Sequence, residues 1–133
     1  MKLIRVLALS VATLGIAAGH SFAQLEPQTR FEDGSRVTWT AQPSPSGVWS
    51  AMRRAGLGHS DVGAWAVIGC VIAGNRRLRD CQVIQQSSEE SQVGEALLEM
   101  APRYRAASQG PNGASSVGRR VEIAMGYAGV AVP

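Results

Sequence analysis

The chain has 133 residues, of which 13 are basic and 10 are acidic, and 45% are hydrophobic. Two of the basic side chains, Lys2 and Arg5, precede every acidic one, so the rest of the chain is close to neutral. This balance argues against nucleic acid as the main partner, because nucleic-acid-binding domains concentrate positive charge. The length fits one domain with a modest hydrophobic core.

The first 23 residues have the features of a secretory leader. A basic start is followed by the apolar run Val6–Ala18 and by Ser21-Phe22-Ala23, which resembles a cleavage site with small residues. The apolar run has 13 residues, whereas a membrane-spanning helix needs roughly 20. We therefore predict a signal peptide, residues 1–23, that is removed on export. An uncleaved membrane anchor is the alternative.

The next part of the chain is poor in periodic structure. Residues 24–38 are mostly polar and predict a flexible arm ahead of a single domain, residues 39–133. Val37–Thr40 is a candidate short strand at the start of that domain. After a segment with two prolines, Val48–Leu57 has the spacing of a short helix, for which Ser46 is a possible N-terminal cap.

A β-hairpin is predicted next, because two runs of strand-forming residues flank a Gly-Asn pair. The runs are Ala64–Ile72 and Leu78–Gln85. A register that sets Cys70 directly opposite Cys81 is compatible with a disulfide. This register centres the turn on Asn75 and Arg76, so we favour a four-residue loop, residues 74–77, over a strained two-residue turn. A turn at Gly74-Asn75 is a further alternative, but it moves the cysteines out of register.

The two cysteines predict a disulfide in an exported chain, and its short loop is worth about 2–3 kcal/mol. A metal site is the competing interpretation, but no histidine lies near the two cysteines in the sequence. The register predicts one core face of the hairpin, with these residues: Ala66, Ile68, Cys70, Ile72, Cys81 and Val83. The opposite face is too apolar to lie fully in water, so more chain or a partner should cover it. Its apolar members are Trp65, Val67, Val71 and Ile84.

A helix and a third strand follow the hairpin. Val93, Leu97, Met100 and Tyr104 recur at helical spacing, and Pro102 should end the helix near Met100. Apolar residues then alternate with other residues over 121–125, as in a strand with one buried face. Together these elements predict a two-layer α+β domain. Its three-stranded antiparallel sheet consists of the hairpin and the last strand, packed against one or two helices.

The sequence contains no combination of residues that predicts an enzyme, a cofactor or a metal site. His59-Ser60-Asp61 has the residue types of a catalytic triad, but adjacent residues in a turn do not form one. Glu89-Glu90 is best explained as a solvated turn before a helix. The hairpin tip carries Arg76, Arg77 and Arg79, which suit phosphates, acidic lipid or an acidic partner, although a solvated tip is the simpler interpretation.

The order of these elements resembles the TonB C-terminal domain family, in a branch that carries two cysteines. The hairpin with Cys70 and Cys81, the helical segment Val93–Ala101 and the strand Gly118–Ile123 carry the resemblance. Trp39 and Pro43 match a Trp-x-x-x-Pro element upstream. The resemblance covers residues 39–127.

The resemblance implies a periplasmic protein-binding module that pairs its last strand with an extended segment of an outer-membrane receptor. The implied partner-binding edge consists of Val121, Glu122, Ile123, Ala124 and Met125. Full energy transducers of the family keep a membrane anchor and a long proline-rich spacer. Here the leader has a cleavage site and the arm spans at most about 50 Å, so a free binding module is the better prediction. A membrane-anchored transducer and a homodimeric structural module are the alternatives.

Overall fold

The computed structural model describes residues 27–58 and 61–127. The predicted leader, His59, Ser60 and the last six residues lie outside these ranges. In chain order the elements are β1 (Gln28–Phe31), β2 (Trp39–Ala41), α1 (Pro45–Arg54), β3 (Trp65–Ile72), β4 (Leu78–Gln86), α2 (Val93–Met100), a 3-10 turn (Ala101–Arg103), β5 (Arg105–Ala106) and β6 (Arg120–Gly126).

The main sheet is antiparallel, with its strands in the order β1-β6-β3-β4. Helix α2 packs across β3, β4 and β6, and α1 packs against α2. A separate pair of short strands, β2 and β5, completes the described fold. The predicted α+β class is therefore confirmed, but the sheet has four strands where the sequence predicted three.

The extra strand is β1, which lies within the segment predicted to be a flexible arm. Gln28–Phe31 pairs with β6 along its whole length. Phe31 is 1% exposed and Val37 is 5% exposed, so both belong to the hydrophobic core. The prediction of a flexible arm is therefore wrong for this part of the chain. Its local sequence has no strand pattern, but it forms a strand because it pairs with β6, which lies some 90 residues later in the sequence.

The hairpin has the predicted register in its centre and departs from it near the turn. Ile68 pairs with Val83 and Gly69 with Gln82, as expected when Cys70 faces Cys81. Nearer the turn the register shifts by one residue. Asp80 absorbs this shift as a bulge, with a positive φ of 54°.

The bulge shortens the loop to three residues, 74–76, where four were predicted. The Ala73 N–H donates to the Arg77 carbonyl (2.8 Å), and the Arg76 N–H donates to the Ala73 carbonyl (2.8 Å). Arg76 has a φ of 70°, in the left-handed position that follows the turn in three-residue hairpin loops. The side chain of Asn75 accepts a hydrogen bond from the Arg77 N–H (3.0 Å), which fixes the turn locally.

The core lies between the sheet and α2. On β3 the predicted core face is confirmed, since four alternate residues are completely buried: Ala66, Ile68, Cys70 and Ile72. The helical stripe opposite them is buried as well, and Gly94 lets α2 approach β4 closely. A Cβ on Gly94 would lie 2.7 Å from Cγ2 of Val83, closer than two carbon atoms can pack. The predicted Cys70–Cys81 disulfide is present, with the two Cα atoms 4.2 Å apart.

Helix α2 ends as predicted, but α1 ends at Arg54, three residues before the predicted Leu57. Helix α2 ends at Met100, and the 3-10 turn that follows contains Pro102. Helix α1 begins at Pro45, three residues earlier than predicted, because proline fits the first helical position, where its missing N–H costs nothing. The cap is Ser44 rather than Ser46, and its hydroxyl accepts a hydrogen bond from the Gly47 N–H (3.1 Å).

The double substitution Cys70→Ala/Cys81→Ala should lower the free energy of unfolding by about 2–3 kcal/mol, because the open hairpin gains conformational freedom in the unfolded state. Denaturant unfolding of the oxidised protein and the variant measures the difference. Wild-type protein unfolded with a reductant is the control and should match the variant. Equal unfolding midpoints for the oxidised protein and the variant would show that the disulfide does not stabilise the fold.

Candidate functional site

The strand predicted as the partner-binding edge is not an edge in this fold. Strand β6 pairs with β3 on one side and with β1 on the other. The β1 pairing covers Val121 to Ala124 and leaves only Met125 of the predicted residues without a β1 partner. The prediction of a free edge at residues 121–125 is therefore wrong, because β1 already occupies the backbone groups that a partner strand would need.

Strand β1 is held by side chains at both faces of the sheet. The guanidinium of Arg30 donates to the carboxylate of Glu122 (3.0 Å) on the outer face. On the core side, the guanidinium of Arg119 lies 3.7 Å from the centre of the Phe31 ring, at cation–π distance. Arg119 also donates to Asp33 (3.1 Å). A partner that replaced β1 would have to break these contacts and expose Phe31.

The turn after β1 is fixed by Asp33. Its carboxylate accepts hydrogen bonds from the hydroxyl (2.6 Å) and the N–H (2.9 Å) of Ser35. The Ser35 hydroxyl is the main reason that the pKa of Asp33 lies below its ordinary value, followed by the Ser35 N–H, with a smaller contribution from Arg119. Asp33 therefore stays ionised and serves the turn, and it is not poised to transfer a proton at neutral pH.

A shallow cavity of about 270 Å³ lies beside this turn. Phe31, Arg36 and Arg119 line it from one side, and Gly110 and Asn112 line it from the loop before β6. The cavity combines an aromatic ring with two guanidinium groups, but Arg119 is already bound to Asp33. Ser35 also lines the cavity, but its hydroxyl donates to Asp33, whose lowered pKa makes that carboxylate a weak base, so the cavity offers no activated nucleophile.

The main sheet has two edge strands, β1 and β4, and β4 is the longer of the two. One side of this strand pairs with β3, and no strand in residues 27–58 or 61–127 pairs with its other side. Within the same two ranges, one isolated bridge lies near it and joins Arg77 to Arg105, just before the strand begins. From Asp80 to Gln86 the outward backbone groups of β4 therefore remain accessible to an added strand.

The outer face of the sheet, which no described helix covers, is partly apolar next to that edge. Val67 lies in its centre and is 5% exposed, whereas Ile84 of β4 is 43% exposed. The side chains of Ile84 and Arg120 converge over Gly69, within 3.4 and 3.5 Å of the position that a Cβ would occupy there. This agrees with the prediction that the second face of the hairpin is too apolar to lie fully in water.

The arginines of the hairpin tip have neighbours that the sequence did not reveal. A β-bridge joins Arg77 to Arg105, and the Ala106 N–H donates to the Arg76 carbonyl (2.9 Å). These contacts place the hairpin loop beside β5. The Arg77 guanidinium donates to the Pro102 carbonyl (3.3 Å). We call Arg76, Arg77, Arg103 and Arg105 the arginine cluster; Arg103 adjoins it through the chain after Pro102, and its guanidinium lies against Gly47 of α1, 2.8 Å from the position of a Cβ there. Arg79 is a separate case, because it pairs with Asp80.

The described residues contain no other arrangement typical of an active site. Within residues 27–58 and 61–127, no group of three His, Cys, Asp or Glu side chains could hold a metal ion. Asp61 accepts a hydrogen bond from the Gly58 N–H (2.8 Å) and so stabilises a turn. Its neighbour His59 lies outside the described residues. Glu89 and Glu90 are exposed in the turn before α2.

No family model, no curated protein and no solved structure matches the chain. The resemblance to the TonB C-terminal domain family therefore stays a prediction from the sequence. Over the same two ranges, 27–58 and 61–127, neither helix is long and apolar enough to cross a membrane.

Phe31→Ala should lower the free energy of unfolding by about 3–5 kcal/mol, as expected when a buried aromatic side chain is removed from a core. Gln28→Ala, an exposed position in the same strand, is the control and should change stability by less than about 0.5 kcal/mol. Denaturant unfolding of both variants measures the difference. A Phe31→Ala variant as stable as the control would mean that β1 is a loose arm after all.

Proposed function

We propose that this protein is an exported, TonB-like module that binds an extended segment of a partner protein in the periplasm. The partner segment adds to the main sheet as a fifth strand, next to β4. The segment belongs to a protein such as an outer-membrane receptor, and binding involves no chemical step. The observation that carries the proposal is the open edge of β4 beside the partly apolar outer face.

Backbone pairing supplies the basic affinity in this mode of binding. The accessible N–H and C=O groups of β4 are hydrogen-bonded to water in the free protein, and a partner strand replaces that water. Strand β4 has nine residues, which extend over roughly 30 Å. Since β1, the other edge strand, has only four residues, β4 is the longer template. The proposal therefore moves the binding edge from residues 121–125 to β4.

The two halves of β4 are not equivalent. The bulge at Asp80 and the Arg79–Asp80 ion pair lie at the hairpin-tip end. Bulges and charges at a sheet edge discourage indiscriminate pairing. The half that contains Cys81–Gln86 also has a register shift, near Ile84, but it contains no charged side chain and no residue with a positive φ. We therefore assign partner pairing to Cys81–Gln86.

Side chains on the outer face supply the specificity. Every second residue of an added strand points to this face, where it meets Ile84. Covering the part of Ile84 that is exposed, 43% of the side chain, is worth about 1 kcal/mol. An apolar residue in the partner segment is therefore favoured opposite Ile84.

Ile84→Glu should weaken partner binding by about ten-fold or more, because it removes this apolar contact and buries a charge in its place. Trp49→Glu is the matched control: Trp49 is 44% exposed but belongs to α1, on the helix-covered side of the sheet. The partner is first isolated from a periplasmic extract with the wild-type protein and identified by mass. Its affinity for the two variants is then measured by titration.

Hydrogen exchange of the same complex tests the position of the partner. The amides of Cys81–Gln86 should gain protection on binding, while those of β1 keep the protection they have in the free protein. Protection confined to α1, or loss of protection in β1 with binding at β6, would contradict the proposal. Capture of only a second copy of the chain, with protection of Cys81–Gln86, would replace the receptor by a homodimer at the same edge.

A further inference from the structure

The fold creates a concentrated positive charge that the sequence does not reveal. The arginine cluster combines residues from the hairpin loop with residues that follow α2, some 25 positions later. Arg77, Arg103 and Arg105 are exposed, and Arg76 is partly buried. In the described part of the chain, no carboxylate lies within ion-pair distance of these four side chains. Their charges are therefore available to a partner.

Three acidic residues outside any ion pair, Asp61, Glu89 and Glu90, lie at the opposite end of the sheet, whereas Asp33 and Asp80, nearer the hairpin loop, are paired with Arg119 and Arg79. Strand β3 runs from Trp65, whose carbonyl accepts a hydrogen bond from Ser87 (2.9 Å), to Ile72, which lies next to the hairpin loop. Asp61 and Glu90 line a cavity at the Trp65 end. The two ends of β3 are about 23 Å apart, more than twice the distance at which salt screens charges at physiological ionic strength. The charges that remain outside ion pairs at the hairpin loop and at the Trp65 end are therefore of opposite sign.

Further groups at the Ile72 end include one more exposed arginine, Arg120, whereas the charge of Arg79 is neutralised by Asp80. On the outer face, Val71 pairs with Arg79 on one side and with Arg120 on the other. Val117, which is 42% exposed, precedes Gly118, whose N–H donates to the Ile72 carbonyl (2.7 Å). This end thus presents arginines together with an exposed apolar side chain.

We propose that the arginine cluster binds the anionic headgroups of a phospholipid surface and orients the domain on it. Guanidinium groups form paired hydrogen bonds with phosphate oxygens, so an all-arginine cluster suits this ligand. A stable interface with an acidic protein would need a well-packed apolar centre, which four arginines around a loop do not supply. A membrane surface requires only the charge, supplemented by shallow insertion of a residue such as Val117.

The opposite charges at the two ends of β3 set the orientation of the domain. The anionic surface attracts the arginine cluster and repels the acidic end, where Asp61 and Glu90 lie. The long axis of β3 should therefore stand up from the bilayer, with Ile72 nearer the lipid and Trp65 farther from it. The open edge of β4 runs along β3, so it stays accessible to a protein partner in this orientation.

Sedimentation with lipid vesicles tests the proposal. Exported protein, its N-terminus determined by intact mass, is mixed with vesicles of equimolar phosphatidylglycerol and phosphatidylcholine or of phosphatidylcholine alone. We expect binding to the anionic vesicles that decreases as salt is raised, and little binding to the neutral ones. Since each arginine near an anionic surface is worth about five-fold in affinity, Arg76→Gln/Arg105→Gln should weaken binding about 30-fold.

Two matched variants separate the cluster from net charge and from misfolding. Arg53→Gln/Arg54→Gln removes the same charge at the end of α1 and should retain most of the binding. Arg76→Lys/Arg105→Lys keeps the charge and should bind within a few-fold of the wild type. Equal losses in both glutamine variants, or equal binding to neutral and anionic vesicles, would overturn the proposal. Binding to polyglutamate without binding to vesicles would also overturn it, in favour of an acidic protein partner.

Discussion

The burial of one face of β3 is the constraint on which the rest of the structure depends. Its four inward residues are completely inaccessible to solvent, so β3 must have a strand on each side and a helix above it. Strand β4 follows through a short loop, and the Cys70–Cys81 disulfide links the two strands covalently. The closing strand β6 fills the other side, and Gly94 lets α2 approach the hairpin closely enough to exclude water. The sheet and its main helix are thus consequences of one apolar face.

The elements that the sequence predicted correctly each contain their own periodic signal. The hairpin has two strand-forming runs around a Gly-Asn pair, α2 has the stripe Val93, Leu97 and Met100, and β6 alternates from Val121 to Met125. Such patterns determine an element and its buried face without reference to distant parts of the chain. The disulfide belongs to the same class, because the hairpin register alone brings the two cysteines together.

The features that the sequence did not predict depend on contacts between distant residues. Strand β1 has four residues, of which only Phe31 belongs to the core. One buried side chain is not enough to produce the alternating apolar pattern that identifies a strand in a sequence. The order of β1 comes from β6, and missing it led directly to the wrong prediction of a free edge at residues 121–125. The arginine cluster is similar, because tertiary contacts such as the bridge between Arg77 and Arg105 join two short basic segments that are distant in the sequence. The bulge at Asp80 is a third case, because β4 contains no proline or glycine that would indicate an extra residue at this position.

The open edge and the separated charges together favour one direction for a bound segment. Strand β4 runs from the arginine cluster towards the acidic end, where Ser88 and Glu90 lie. A segment that pairs antiparallel to β4 begins near Gln86 and ends near Arg79. Basic residues at its start and acidic residues at its end would then face opposite charges, whereas the reverse order would meet like charges. Two peptides with the same apolar centre and exchanged charged ends should therefore differ in affinity, and this difference should decrease as salt screens the two ends of the sheet.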